Sequence, residues 1–231
     1  MCIRDRKKIV RSIILAGHGT NCEYETAYGC RLGGSEEVDI VHISRLISGG
    51  VKLLDYHLLC LAGGFLDGDD LGAAQAAANR IRYSKIAGAN ERLFDHFLKF
   101  IENGGLILGI CNGFQLMVKL GLLPALDGRY GERQVTLTFN DSGRFEDRWV
   151  YLKVEPGNRC AFTKGLEGVL YMPVAHAEGK FIAPQEVIKS IEENGQVVLR
   201  YVDPSGNLAG YPWNPNGSLG NIAGICDPTG R

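Results

Sequence analysis

The stretch that most constrains this chain runs from Gly104 to Pro124: Gly-Gly-Leu-Ile-Leu-Gly-Ile-Cys-Asn-Gly-Phe-Gln-Leu-Met-Val-Lys-Leu-Gly-Leu-Leu-Pro. Leu106 to Ile110 is a continuous apolar run bounded by glycines, the pattern of a parallel strand covered on both faces. From about Asn112 to Leu120 the apolar positions Phe114, Met117, Val118 and Leu120 give a helix, and Gly121 stops it. Cys111 lies between them, at the carboxyl end of a strand and the amino end of a helix, where open α/β sheets bind their ligands. Gly109 and Gly113 flank it at minus two and plus two, the spacing of a nucleophile elbow. A reversal this tight brings neighbouring backbones too close for a β-carbon. The unpaired N–H groups at the helix start are expected to favour thiolate and lower the cysteine pKa. Cys111 is therefore read as a nucleophile.

Around this stretch the strands alternate with helices, which gives an α/β fold with a mostly parallel sheet flanked by helices. Ile9–Ala16, Val38–Ile43 and His57–Ala62 are strand candidates. Helices are expected from about Glu23 to Cys30, over Leu71–Arg82 and over Glu91–Glu102. From Gln134 onward the pattern changes to apolar–polar alternation. Gln134–Phe139 and Trp149–Val154 are then antiparallel strands beside or extending the main sheet, Gln196–Val202 and Ile222–Cys226 are further strands, and Pro184–Glu193 is a helix.

Glycines at two strand ends invite closer reading. Gly17-His-Gly-Thr-Asn-Cys22 lacks the Gly-x-Gly-x-x-Gly or Lys-Ser/Thr of a nucleotide site. The Gly63-Gly64 pair after the third strand can turn backbone N–H groups toward a ligand, as an oxyanion hole requires. The acidic run that follows, Asp67-Gly-Asp69-Asp70, lacks the spacing of a calcium loop and reads as helix capping or solvated loop rather than a metal site.

Composition removes several function classes. A net charge of −1 leaves no footprint for nucleic acid or an anionic membrane. The seven cysteines are odd in number and scattered without a Cys-x-x-Cys pair, against both a disulfide framework and a zinc site. No apolar run approaches membrane length, and no secretory leader follows the charged start. These features make a reduced, cytoplasmic protein the expectation. Residues 1–6 fit no element and are set aside as a non-native or disordered leader, with one domain over 7–231.

Gly109-Ile-Cys-Asn-Gly-Phe-Gln115, followed by Gly121-Leu-Leu-Pro124, resembles the class I (triad) glutamine amidotransferases, whose fold is flavodoxin-like. Within them the chain is most similar to the glutaminase subunit of phosphoribosylformylglycinamidine synthase, an enzyme of de novo purine synthesis. Gly19-Thr-Asn-Cys-Glu23, Gly63-Gly-Phe65 with Gly68-Asp69, Pro173-Val-Ala-His-Ala-Glu-Gly-Lys-Phe181, and Asn214-Pro-Asn-Gly-Ser218 with Ile222-Ala-Gly224 carry the same resemblance in order.

The resemblance implies that Cys111 attacks the side-chain amide of glutamine and forms a γ-glutamyl thioester with release of ammonia. The backbone N–H groups of Gly64 and Asn112 would hold the oxyanion, and Gln115 would help hold substrate. It further implies no cofactor on this chain, with ATP and magnesium on a synthetase partner that amidates formylglycinamide ribonucleotide, and a small accessory subunit. The family's cysteine is activated by a His-Pro-Glu near the carboxyl terminus, and these 231 residues contain no such run. The chain stops where a turn would ordinarily lead into one more strand, so a missing carboxyl-terminal end, and weak or absent activity without it, are expected. His176 and Glu178 have His-x-Glu spacing and are secondary candidates for the base and its orienter. Facing substrate or an interface, and a structural histidine, are the other readings of His176. A non-catalytic amidotransferase-like binding or regulatory subunit, and another cysteine hydrolase on the same fold, are the alternative functions.

Overall fold

The structure is a computed structural model, and it describes residues 9–231; the expected leader at 1–6 lies outside them. The described residues form two compact units that divide between Gly113 and Phe114.

The first unit is built on a four-stranded parallel sheet of β1 (Arg11–Ala16), β2 (Glu37–His42), β3 (Leu58–Leu61) and β4 (Leu106–Gly109), in the order β2-β1-β3-β4. That order is the flavodoxin-like one as far as it extends. β1 pairs with β2 from Arg11↔Glu37 and with β3 from Ser12↔Leu58, which makes it an inner strand, and Ile13, Ile14 and Leu15, whose side chains alternate between the two faces, are almost fully buried. This burial explains the unbroken apolar run in the sequence. β2 at the sheet edge keeps a polar alternation instead, with Glu37 and Asp39 exposed.

Four helices accompany the sheet: α1 (Glu23–Leu32), α2 (Ile43–Ile47), α3 (Gln75–Tyr83) and α4 (Leu93–Glu102). α4 buries Leu93, Phe94, Phe97, Phe100 and Ile101 along one stripe. Its first turn is closed by the Arg92 N–H donating to the Asp95 carboxylate at 2.8 Å.

Of the boundaries that depart from the sequence reading, two have a plain physical cause. The strand expected through Ile43 ends at His42, whose Nδ1 accepts the Ser44 N–H at 3.2 Å and caps a short helix. Five residues are too few for a 3.6-residue period to declare itself. α3 starts at Gln75 rather than Leu71, because Gly72 and Ala74 have φ of 96° and 61°, incompatible with a continuous right-handed helix.

The second unit is largely antiparallel. β6 (Glu146–Val154) lies between β7 (Val169–His176) and β9 (Val197–Val202), with β10 (Ile222–Ile225) beyond β9. β6 and β7 pair from Glu146↔His176 to Lys153↔Val169. β5 (Thr136–Thr138) and β8 (Lys180–Ile182) form a separate two-stranded pair. Val150, Leu152 and Tyr201 are buried together on one face of the larger sheet, which accounts for the period-two pattern. α6 (Gln185–Glu193) buries Ile188 and Ile191, with Pro184 preceding its first turn. The remaining helix, α5 (Asn112–Leu120), follows the cysteine directly. No helix among the described residues is long and apolar enough to cross a membrane.

Candidate active site

The elbow forms as its residues demand. β4 ends at Gly109, Cys111 takes φ of 55°, and α5 starts at Asn112. A positive φ on a residue with a β-carbon is uncommon, and functional turns are where such strain is kept. The reversal is fastened to the neighbouring strand by the Ile110 N–H, which donates to the Leu61 carbonyl at 3.2 Å. Gly113 then passes so close to β3 that a β-carbon there would drive into the Leu61 carbonyl oxygen. The glycine at plus two is thus a steric requirement.

A second loop meets the elbow. Gly64 has φ of 125°, and an added β-carbon would lie 2.6 Å from both the Asn21 nitrogen and the Gly19 carbonyl oxygen. The Gly63 carbonyl accepts the Asn21 and Cys22 N–H groups at 3.2 and 3.3 Å, and the Phe65 N–H donates to the Gly19 carbonyl at 2.6 Å. Gly17–Cys22 therefore acts as a brace for the loop after β3. On the elbow side, the Leu66 N–H donates to the Asn112 side-chain oxygen at 3.1 Å.

The result is that the backbone N–H groups of Gly64 and Asn112 both donate toward the Cys111 thiol. Three residues singled out in the sequence, Cys111, Gly64 and Asn112, are brought together in one unit.

The acidity of the thiol departs from expectation. The helix-start N–H groups do pull its pKa down, but desolvation is larger and the thiol ends above its ordinary value. Cys111 as a residue keeps solvent contact, yet protein atoms crowd its sulfur. The negative charge of Asp69 and the neighbouring Cys22 thiol push in the same direction as desolvation. Cys22 is exposed, and its own thiol is raised by burial of the sulfur and by Glu25 and Glu23.

The acidic run is not a solvated cap throughout. The Asp67 side chain is only 6% exposed and pairs with Arg80 at 3.0 Å, with φ of 62° at Asp67 itself. Asp67, Arg80, His18, Gly19, Phe65 and Gly68 border a concavity beside the braced loop. Among the described residues, no group of three His, Cys, Asp or Glu side chains is placed to hold a metal.

Gln115, Glu178 and His176 belong to the second unit. Gln115 is buried, and its amide nitrogen donates to the Glu178 carbonyl at 2.8 Å, tying the first turn of α5 to the turn after β7. His176 is partly buried, its ring packed over Gly179. The Asn216 amide nitrogen lies 3.5 Å from its Nε2, and its Nδ1 is buried with no hydrogen-bond partner. Desolvation lowers its pKa, opposed by the carboxylate of Glu146 across the strand pair.

Residues 214–218 enter the sequence analysis only through the family resemblance, and their bracing role emerges with the fold. The Asn214 side-chain oxygen accepts the Gly217 and Ser218 N–H groups at 3.1 and 3.2 Å. Asn216 donates to the Gly179 carbonyl at 2.9 Å, and the Ser218 hydroxyl accepts the Phe181 N–H at 3.0 Å. Asn214, Asn216 and Ser218 are all buried, so this loop holds the His176–Phe181 segment from inside. The signal was present as three short polar side chains within five residues around a proline, a pattern suited to capping backbone groups.

This geometry has known relatives. Residues 9–231 match the model of the CobB/CobQ-like glutamine amidotransferase domain. The chain belongs to this family. A phosphoribosylformylglycinamidine synthase subunit PurQ of Methanococcus maripaludis is 46% identical over 229 residues, covering 97% of this chain and 79% of the relative. One from Dehalococcoides mccartyi is 44% identical over 225 residues, covering 96% and 81%. Among solved structures, PurLQS from Thermotoga maritima contains a chain that superposes with a TM-score of 0.66 at 27% identity, covering 95% of this chain and 85% of that one.

Proposed function

We propose that this chain is the glutaminase subunit of a phosphoribosylformylglycinamidine synthase, supplying ammonia for purine biosynthesis. One observation carries the chemistry: two backbone N–H groups from separate loops converge on the thiol of a cysteine held at positive φ in a strand–turn–helix elbow.

In this reading, the Cys111 sulfur forms a bond to the side-chain carbonyl carbon of glutamine. The carbonyl electron pair moves onto oxygen, and the resulting oxyanion takes up the Gly64 and Asn112 N–H groups. Donors of this kind, preorganised where charge develops, are worth about 2.7–4 kcal/mol each. Collapse re-forms the carbonyl, breaks the C–N bond and releases ammonia once the leaving nitrogen is protonated. Water then cleaves the thioester to glutamate and free thiol. Because the thiol is raised rather than lowered, it needs a base to remove its proton at neutral pH. In relatives of the class resembled by this sequence that base belongs to His-Pro-Glu; here we assign His176 to the bracing cluster around Asn216.

The partner in this reading is a synthetase subunit, as the name of the solved PurLQS assembly suggests. That subunit would carry ATP and magnesium and pass the ammonia to formylglycinamide ribonucleotide, with a small accessory subunit completing the assembly. The amidotransferase reaction itself uses no cofactor on this chain.

The test is covalent trapping. An electrophilic analogue of glutamine is expected to label Cys111 at one equivalent, seen as a single modified peptide by mass spectrometry. Free glutamine should protect, and Cys111→Ala should abolish labelling. Labelling of another cysteine, or indifference to glutamine, would overturn the assignment.

A further inference from the structure

Resting on that assignment, we propose that the Asn112 side chain is a positioning residue for the oxyanion site: by accepting the Leu66 N–H it fixes the loop that presents the Gly64 N–H to the Cys111 thiol.

The argument begins with what the backbone alone supplies. The Asn112 N–H is delivered by the start of α5, and any residue there would provide it. The Gly64 N–H is different, because it comes from a loop 48 residues earlier in the chain than Asn112. Its direction depends on how that loop is held. The braces from Gly19, Asn21 and Cys22 fix its outer side, through the Gly63 carbonyl and the Phe65 N–H. Those contacts are to the Gly17–Cys22 loop and leave the spacing between Gly64 and the elbow to other contacts.

Asn112 sets that spacing directly. The Gly64 N–H reaches the Cys111 sulfur, and two residues later the Leu66 N–H reaches the Asn112 side-chain oxygen at 3.1 Å. Two donors at i and i+2 of the loop thus meet two adjacent residues of the elbow. The clamp is stiff because Asn112 is 2% exposed and Leu66 5%. An unpaired N–H at such a place would be costly, so the bond is held closed. The Leu66 side chain adds a wedge, filling the space over Gly17 that a β-carbon would occupy.

The residue type fits the task. The loop needs a short side-chain acceptor aimed back from the first helical position, which Asn and Asp provide. Aspartate would place a second negative charge next to a thiol that Asp69 already pushes upward. Asparagine accepts the same N–H without that charge. Its side chain touches neither the thiol nor the reacting carbon in the proposed reaction, so its influence acts through Gly64.

The experiment uses the full-length protein assembled with its synthetase partner and compares wild type with Asn112→Ala and Asn112→Asp. Displacing one oxyanion donor by a fraction of an ångström to an ångström is expected to lower kcat on the order of 10- to 100-fold. KM for glutamine should stay within about twofold, because the ground-state amide leans little on these donors. Affinity for glutamate γ-semialdehyde, whose aldehyde replaces the side-chain amide and adds the thiol to give a tetrahedral oxyanion mimic, should fall in parallel with kcat in Asn112→Ala. Asn112→Asp should recover kcat above the alanine variant, with its pH profile moved to the alkaline side. A purely structural role would lower the unfolding temperature while leaving kcat per folded molecule and aldehyde affinity unchanged, and that result overturns the proposal.

Should Asn112→Ala fail to fold, hydrogen exchange on the wild-type chain decides: the Leu66 amide is expected to be strongly protected, and rapid exchange there overturns the clamp. The glutaminase assignment fails separately, if wild type is not labelled at Cys111 by the electrophilic glutamine analogue.

Discussion

Cys111 shows how two opposed effects at one residue are decided by magnitude. The donors at the helix start favour the thiolate, but removing the sulfur from water and placing it near Asp69 disfavours it more. The expected outcome is that alkylation of Cys111 by neutral iodoacetamide accelerates as pH rises, with a midpoint above that of an ordinary thiol. Asp69→Asn removes a charge that disfavours the thiolate and should move this midpoint toward acid. Peptide-resolved mass spectrometry, following Cys111 apart from the exposed Cys22, checks both. An acid-side midpoint in wild type, or a shift in the other direction for Asp69→Asn, would contradict this electrostatic account.

At the scale of elements, glycine has opposite meanings in two helices. Gly113 opens α5 against the Leu61 carbonyl, while Gly29 in α1 has open space around the position of a β-carbon. Gly113→Ala forces backbone against backbone and is expected to cost about 3 kcal/mol, the upper part of the usual overpacking range. Gly29→Ala removes only the entropic penalty of a helical glycine and should stabilise by roughly 0.5–1 kcal/mol. Urea unfolding followed by circular dichroism distinguishes the two, and equal effects would show that the close approach of α5 to β3 is wrong. Sequence reading placed α5 at its observed limits because its apolar period, its leading glycine-flanked turn and its terminal Gly121 all agree. It missed α2 because one and a half turns carry no period, and it began α3 too early because alanine content says nothing of the positive φ at Ala74.

For the whole molecule, the function rests on ammonia made here being used elsewhere. In a complex reconstituted with its synthetase, Cys111→Ala is expected to abolish glutamine-driven amidation while leaving amidation driven by added ammonium at the wild-type rate. Product formation with each nitrogen source checks this. Loss of both would place Cys111 in assembly or folding rather than in glutamine attack. The same variant bears on the alternative of a non-catalytic subunit, for which glutamine-driven turnover would not depend on this thiol.

The sequence by itself determined the parallel strands that lead up to the elbow, the change to antiparallel strands from Gln134, and the cysteine elbow. Each of these is written in local terms: runs of apolar residues, their period, and glycines where two backbones must cross. The residues alone offered a glycine pair at one strand end and a helix start at another, and it was the family resemblance that implied Gly64 and Asn112 as the backbone donors. Only the tertiary structure decided that both donors meet one sulfur, that burial overrides the helix start in setting its acidity, and that the Asn112 side chain reaches Leu66. The physical reason is common to all three. Desolvation and hydrogen bonding across some 46 residues of chain depend on which surfaces fold against one another, and no local pattern encodes that. The Asn214–Ser218 loop teaches the same lesson from the other unit, where a turn by composition is, once folded, an internal brace.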